Sequence, residues 1–316
     1  MAYSVQNPDY YIKRLDKHNL DDVDELHTIV YGKKAAPGYF KNKYNTTYTG
    51  AEYIGYIAYN IELVPIAFYA VIPCFLRYDG RLVLSAQSAD TMTNPNYRFK
   101  GLFVELSNLT FKLCRDEGIF IVFGFPNQNS YHGAVNKLGW QLTETLSYFT
   151  IAAARLSLEG MASKHPILKK LYSWYTDSVL GSYLTPQKGI ANSMIAEGFA
   201  GIDRSENYLN YKMYSKTRVI KLGAALVWFK VGNGLTIGDI LLNGEDIDVA
   251  IEKLKVLAYK LGLKQIVFQA SPASTLYASL IIRYTATPSF PVLFQNFDSG
   301  LVPEKIKFTF ADIDIF

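Results

Sequence analysis

The sequence predicts an α/β (α+β) protein of two domains, residues 1–150 and 151–316, and three observations carry that reading. Leu82, Leu84 and Ala86 alternate with Val83 and Ser85 in a strand-like run to about residue 93, and Leu102, Leu106, Leu109 and Leu113 then recur at helical spacing. Helix and strand patterns alternate again in the second half of the chain. At 316 residues the chain exceeds the usual size of one domain, and 49% hydrophobic with 19% charged residues is the composition of packed globular structure.

Taken in order, a strand is expected near 11–15, a helix over 21–31, and strands over 53–58 and 63–74. The strand ending near 93 passes into the helix through Asn94-Pro95-Asn96-Tyr97-Arg98-Phe99-Lys100-Gly101, and the helix stops at Arg115-Asp116-Glu117-Gly118. A short buried strand over 119–125 leads through Pro126 to Asn127-Gln128-Asn129-Ser130, which reads as a helix cap, and that helix closes at Lys137-Leu138-Gly139-Trp140. The join falls within 152–188, where Gly160, Lys164-His165-Pro166 and Lys169-Lys170 interrupt the pattern before an aromatic helical stretch over 171–183. Beyond it come strands over 224–231 and 235–242, a helix over 252–262 with apolar Ile251, Leu254, Val256, Leu257 and Leu261, a strand over 265–268, Ser271-Pro272, and a last apolar helix through 280–282. The second half reads as a worn copy of the first, an internal duplication, although helix and strand alternate in any α/β protein.

Composition narrows the function. A net charge of +4 with no long Lys/Arg block gives no support to a nucleic-acid or membrane partner. The longest apolar run, 64–76, is too short to cross a bilayer and contains Pro65 and Pro73, and the N-terminal residues lack the apolar core of a signal peptide. Cys74 and Cys114 have neither C-x-x-C spacing nor histidine partners, so they read as buried free thiols of a reducing, cytoplasmic compartment, with no metal expected.

The turn over residues 98–103 is where chemistry enters. In a strand–turn–helix geometry the free N–H groups of Phe99, Lys100, Gly101, Leu102 and Phe103 point out of the positive end of the helix, and Gly101 lacks the Cβ that would block a close-approaching phosphate. With Arg98 and Lys100 beside them this makes an anion cradle. The corresponding turn of the second half, Leu242-Asn243-Gly244-Glu245-Asp246-Ile247-Asp248, puts three carboxylates at the helix start, which suits the dipole but repels a pyrophosphate. Only the first half is therefore expected to bind an anionic cofactor, with the second a scaffold or acceptor-site wall.

Strand, R-x-x-G turn, helix, strand, Asn-rich cap, helix and K-x-G-aromatic in succession resemble the acetyl-CoA-binding half of the GNAT superfamily of N-acetyltransferases. The resemblance spans roughly residues 1–150 and implies tandem domains, each a mixed, mostly antiparallel sheet flanked by helices, the second degenerate. It implies acetyl-CoA as co-substrate, held by Arg98, Phe99, Lys100, Gly101, Leu102 and Phe103, with the backbone near Ser88, Ala89, Asp90, Thr91 and Met92 pairing with the pantetheine arm and polarising the thioester. Two positions depart from the family pattern. Phe103 stands where Q/R-x-x-G-x-G/A has a small residue, and the tyrosine that protonates the departing thiolate in many members falls on Val135.

Acyl transfer to an amine needs a neutral amine, a stabilised oxyanion and a protonated leaving thiolate. Asp90 is the nearest carboxylate for the first task, with Glu62 and Glu52 weaker choices; a turn-capping or solvated Asp90 is an equal reading. Near the thiolate, Tyr131 and His132 occupy the start of the helix that lacks the usual tyrosine, and Asn127 and Ser130 are placed to order a water. His132 also reads as a plain surface residue, and His18, His27 and His165 belong to no constellation. The chain has 24 tyrosines, grouped in part in Tyr39-Phe40-Lys41-Asn42-Lys43-Tyr44-Asn45-Thr46-Thr47-Tyr48, which suits a sugar ring or packing against the second domain. Lys41 and Lys43 are candidates for a nucleotide-sugar phosphate. Similarity to two-domain proteins encoded with bacterial surface-polysaccharide genes points to an amino sugar as the acceptor. The alternatives are a Fem-like aminoacyl transferase and a non-catalytic acyl-CoA-binding or assembly module.

Overall fold

The computed structural model describes residues 5–7, 9–154, 158–162, 165–232 and 234–316; Lys164, one of the residues expected to interrupt the pattern, lies outside them. In chain order the elements are β1 (Val5–Asn7), β2 (Tyr10–Arg14), α1 (Leu20–Tyr31), α2 (Tyr39–Lys43), β3 (Ile54–Asn60), β4 (Pro65–Tyr78), β5 (Arg81–Thr93), α3 (Leu102–Asp116), β6 (Ile121–Gly124), α4 (Gln128–Leu138) and β7 (Gln141–Ala152). There follow α5 (Leu158–Ala162), α6 (Pro166–Leu180), α7 (Ser193–Ala196), β8 (Gly201–Ile202), α8 (Glu206–Tyr211), β9 (Arg218–Leu222), β10 (Ala225–Val231), β11 (Leu235–Leu241), α9 (Ile247–Lys260), β12 (Gln265–Ala270), α10 (Thr275–Ile281) and β13 (Thr287–Asn296). The chain forms two compact units, Met1–Thr143 with Pro291–Glu304, and Glu144–Phe290 with Lys305–Phe316. It is a mixed α/β structure with mostly antiparallel sheets flanked by helices.

In the first unit the sheet runs β1-β2-β3-β4-β5-β6 and ends on the part of β13 from Pro291. Every pair is antiparallel except β5 and β6, which lie parallel with Ala86 opposite Val122 because α3 carries the chain back across the sheet. Tyr56 and Ala58 of β3 join the core formed with Leu102, Leu106, Phe111 and Leu113 of α3. Tyr59, on the opposite face by strand alternation, donates to Asp22 of α1. The helices thus cover both faces: α3 and α4 on one, α1 and α2 on the other.

The second unit has the order β7-β12-β11-β10-β9, again antiparallel except for the β11–β12 pair. The succession β4-β5-α3-β6-α4 recurs as β10-β11-α9-β12-α10. One feature differs from the reading of two continuous segments. β7 follows α4 in sequence yet pairs with β12 (Phe149 opposite Phe268), and β13 follows α10 yet pairs beyond Pro291 with β6 (Phe294 opposite Phe123). β7 buries Leu146, Phe149 and Ile151 and β13 buries Val292, Leu293 and Phe294, and such a local pattern specifies which residues are buried but not beside which neighbour.

Cys74 and Cys114 are buried thiols, and Cys74 lies against the Ser85 hydroxyl. Burial pushes the Cys114 thiol up from 9.0 to about 12, outweighing the nearby Arg115. At pH 8 neither thiol of the folded chain should react with an aromatic disulfide reagent on the timescale on which the unfolded chain reacts fully; equal rates would contradict the packing. Because the folded value lies above the unfolded one, this contribution to stability is whole below pH 9.0 and is lost as pH rises towards about 12. Denaturant midpoints measured across that window check the sign.

Candidate active site

The site grows out of a divergence in the first sheet. β5 and β6 are paired over Ser85 to Gln87 and Ile121 to Phe123 only, yet β5 runs on to Thr93. Among the described residues no strand pairs with the β6-facing edge of β5 past Gln87, and this open edge is the cleft of the candidate site. On its other edge β5 stays paired with β4, and there the register slips: Ala89 lies opposite Ala70 and Met92 opposite Phe68, so Asp90 and Thr91 together face Tyr69. This is a β-bulge, and Asp90 adopts φ 45° to make it. A bulge re-aims backbone groups that would otherwise continue the ladder, here beside the open cleft.

Beyond Thr93 the Asn94 side chain accepts from the N–H of Asn96, Pro95–Tyr97 form a single 3₁₀ turn, and Arg98 is extended. Phe99 (φ 67°) and Gly101 (φ 82°) are both left-handed, and Gly101 is the N-cap of α3. The first N–H of the helix that bonds back is that of Val104, to the Gly101 carbonyl at 3.0 Å. The N–H groups of Leu102 and Phe103 lie ahead of it and have no carbonyl within the helix. Arg98, Phe99, Lys100 and Gly101 are exposed, Lys100 lies over the Tyr97 ring at 4.9 Å, and a Cβ placed on Gly101 would meet nothing within 4 Å. The residues therefore fit a diphosphate: uncommitted N–H donors at a helix start, a guanidinium and an ammonium, and open space in front of the glycine.

Phe103 is where the family pattern has a small residue, and its ring turns away from the cradle. It packs edge-on against Tyr69, centroids 6.1 Å apart, and lies so close to Gly133 of α4 that a Cβ there would come within 2.8 Å. Gly133 makes room for it, so Phe103 lends the cradle its backbone and α4 its ring. Val135 packs on the same core, as does Tyr131 one turn earlier on that face of α4. His132 stands edge-on to Tyr131 at 6.0 Å. Asn127 caps α4 by accepting from the N–H groups of Asn129 and Ser130, and the Ser130 hydroxyl also points back to Asn127, so both side chains expected near the thiolate serve the helix start.

Sequence reasoning missed Tyr69 and the partners of Asp90. Tyr69 is fully buried, its hydroxyl 3.0 Å from the Ser88 hydroxyl at the point where β5 leaves β6, and burial raises its ionisation well above that of a free tyrosine. On the opposite face of the sheet, Asp90 Oδ2 accepts from Tyr44 at 2.8 Å and from the Lys43 ammonium at 2.7 Å, with Lys43 only 1% exposed. Tyr31 at the end of α1 is raised first by burial and then by the Asp90 carboxylate. His27, Tyr31, Phe40 and Tyr44 link by ring contacts into one aromatic group with Phe68 of β4. The lysines proposed for a phosphate are committed elsewhere: Lys41 pairs with Asp21 at 3.2 Å and Lys43 with Asp90, because α2 turns Lys43 into the core. Glu62 bonds Asn60, and no described contact brings it to the cleft.

In the second unit the equivalent helix start is spent. Asp246 caps α9 by accepting from the N–H groups of Asp248 and Val249, and Glu245 is held by the Ala224 N–H and Lys253. The space past the β11–β12 pairing is filled by the segment that ends at Phe316, whose ring occupies the position of any side chain at Gly238. Arg204 locks that segment in place, bonding Asp239 at 2.6 Å and Asp312 at 2.8 Å; burial opposes its charge, and the two carboxylates more than offset that.

Residues 11–143 match the family model described as an acetyltransferase (GNAT) domain. No curated protein matched the sequence. Among solved structures the chain resembles a GCN5-related N-acetyltransferase from Kribbella flavida, with TM-score 0.61 and 15% identity over 92% of this chain and 72% of that one. A probable N-acyltransferase from Enterococcus faecalis V583 gives 0.60 and 10% over 91% and 72%. The N-myristoyltransferase of Saccharomyces cerevisiae with bound myristoyl-CoA gives 0.56 and 12% over 98% and 85%. The matched domain spans the strands that open around the β5–α3 turn, so residues 11–143 are similar to a GNAT acetyltransferase domain and the chain shares the fold of these solved structures.

Proposed function

We propose that the chain is an N-acetyltransferase that moves the acetyl group of acetyl-CoA to a primary amine, with an amino sugar as the acceptor class. The observation that carries this is the bulged, unpaired edge of β5 running directly into the cradle at Arg98 to Gly101. It provides a track for the pantetheine arm and a seat for the pyrophosphate on one continuous stretch of chain. Backbone groups over 88–92 orient the thioester and polarise its carbonyl. Asp90 receives the proton of the incoming ammonium, and the amine nitrogen attacks the carbonyl carbon. As the tetrahedral intermediate collapses, the C–S bond breaks and the CoA thiolate takes a proton from water or from Tyr131, which regains one from the nitrogen that becomes the amide. The aromatic group formed by His27, Tyr31, Phe40 and Tyr44 lies on the Asp90 side of the sheet and supports a ring-bearing acceptor, while the packing of α9 and its acidic cap supports a scaffold role for the second unit.

Incubation with acetyl-CoA and a panel of primary amines, among them glucosamine, putrescine and tyramine, is expected to release free CoA thiol with at least one amine, with the glucosamine arm the strongest. Tight acetyl-CoA binding with no thiol release from any amine would instead support the non-catalytic module. Release with aminoacyl donors alone would support a Fem-like transferase.

A further inference from the structure

Both units carry an aspartate beside the bulge of the strand that precedes the crossover helix, and each is pinned by a buried cation. In the second unit Gly238 is the extra residue of the bulge and Asp239 follows it. Asp239 is 1% exposed and has no oxygen to spare: Oδ2 takes Arg204 and the Ser193 N–H, and Oδ1 takes the Ile240 N–H. Asp90 has the same kind of anchor but a different balance. Lys43 and Tyr44 both bond Oδ2, no contact of Oδ1 is seen among the described residues, and the side chain is 21% exposed beside the open cleft. A fully buried ammonium is costly to hold, and this one bonds Oδ2, on the side of the carboxylate away from Oδ1.

We infer that Lys43 is a positioning residue for the acceptor: it holds the Asp90 carboxylate turned so that Oδ1 receives the acceptor's ammonium group. This rests on the acyl-transfer reading above and extends it to the acceptor, which must arrive as a cation able to donate to Oδ1 before it gives up its proton there. The groups facing Asp90 are Lys43 and Tyr44 from α2 and Tyr31 from α1. Of these only Lys43 bonds Asp90 as a cation, so it sets the direction in which the carboxylate is turned.

The test compares the parent with Lys43→Met and Lys43→Arg, measuring kcat and KM for glucosamine from pH 5.5 to 9.5, acetyl-CoA binding by calorimetry, and melting temperature. Lys43→Met is expected to raise the amine KM several-fold at every pH measured, because the contact that turns Oδ1 towards the acceptor is gone. Acetyl-CoA affinity should stay within about twofold, since the cradle is untouched. Lys43→Arg should return the amine KM to near its parental value. If Lys43→Met does not fold, Lys43→Gln, which keeps a donor without the charge, is read in the same way. A folded Met or Gln variant with the parental amine KM overturns the role of Lys43 while leaving acyl transfer intact; failure of the parent to bind acetyl-CoA, or to acetylate the amine, overturns the acyl-transfer reading and this inference with it.

Discussion

Asp90→Asn is expected to lower kcat by about a hundredfold to ten-thousandfold, the usual loss when a general base is removed. Asparagine keeps an oxygen for Lys43 and Tyr44, so the bulge and the backbone that polarises the thioester stay in place. What it loses is the ability to take a proton at Oδ1. Acetyl-CoA affinity should therefore change little, and the rate should recover in part at high pH, where the free amine dominates. Leaving the Lys43 ammonium without its counter-charge costs stability, of the order of 3 kcal/mol, so the melting temperature is measured alongside the rate. Tyr131→Phe is expected to give a second, smaller loss of kcat with no loss of stability. Both variants turning over at the parental rate would leave a site that works by positioning and backbone polarisation alone.

Much of the first unit was legible because its signals are local. The expected helix over 21–31 is α1, the strand to residue 93 is β5, and the cap at Asn127 is the start of α4. The strand–turn–helix geometry around Arg98 and Gly101 could be read because a strand period changing to a helix period fixes which N–H groups are left over. Phe103 shows the limit. Sequence placed it in the first helical turn, but whether its ring faces a phosphate or the core depends on Gly133, thirty positions away on another helix.

The partners of Asp90 were out of reach for a similar reason. Lys43 reads as a candidate for a nucleotide-sugar phosphate in a Tyr/Asn-rich segment, and only the packing of Phe40 on Tyr44 and of Tyr44 on Phe68 of β4 turns it inward. A lysine spaced with Phe40 and Tyr44 on a short helix was the one available sign. The pairing of β7 with β12 and of β13 with β6 left no sign at all, since the alternation of buried residues along a strand specifies a face and not a neighbour. In the second unit the acidic turn was informative: Asp246 takes the N–H groups that a phosphate would need.

The most direct test of the account is acetyl-CoA binding to the full chain and to the Arg98→Glu/Gly101→Asp double variant. Both positions are exposed and face open space, so the substitutions reverse the charge of the cradle without disturbing the core, although a left-handed aspartate in place of Gly101 costs about 1 kcal/mol of strain. The parent should bind saturably and gain thermal stability with acetyl-CoA. The double variant should melt within a few degrees of the unliganded parent and show no stabilisation by acetyl-CoA. Saturable binding that persists in the folded double variant would place the cofactor elsewhere and contradict the site.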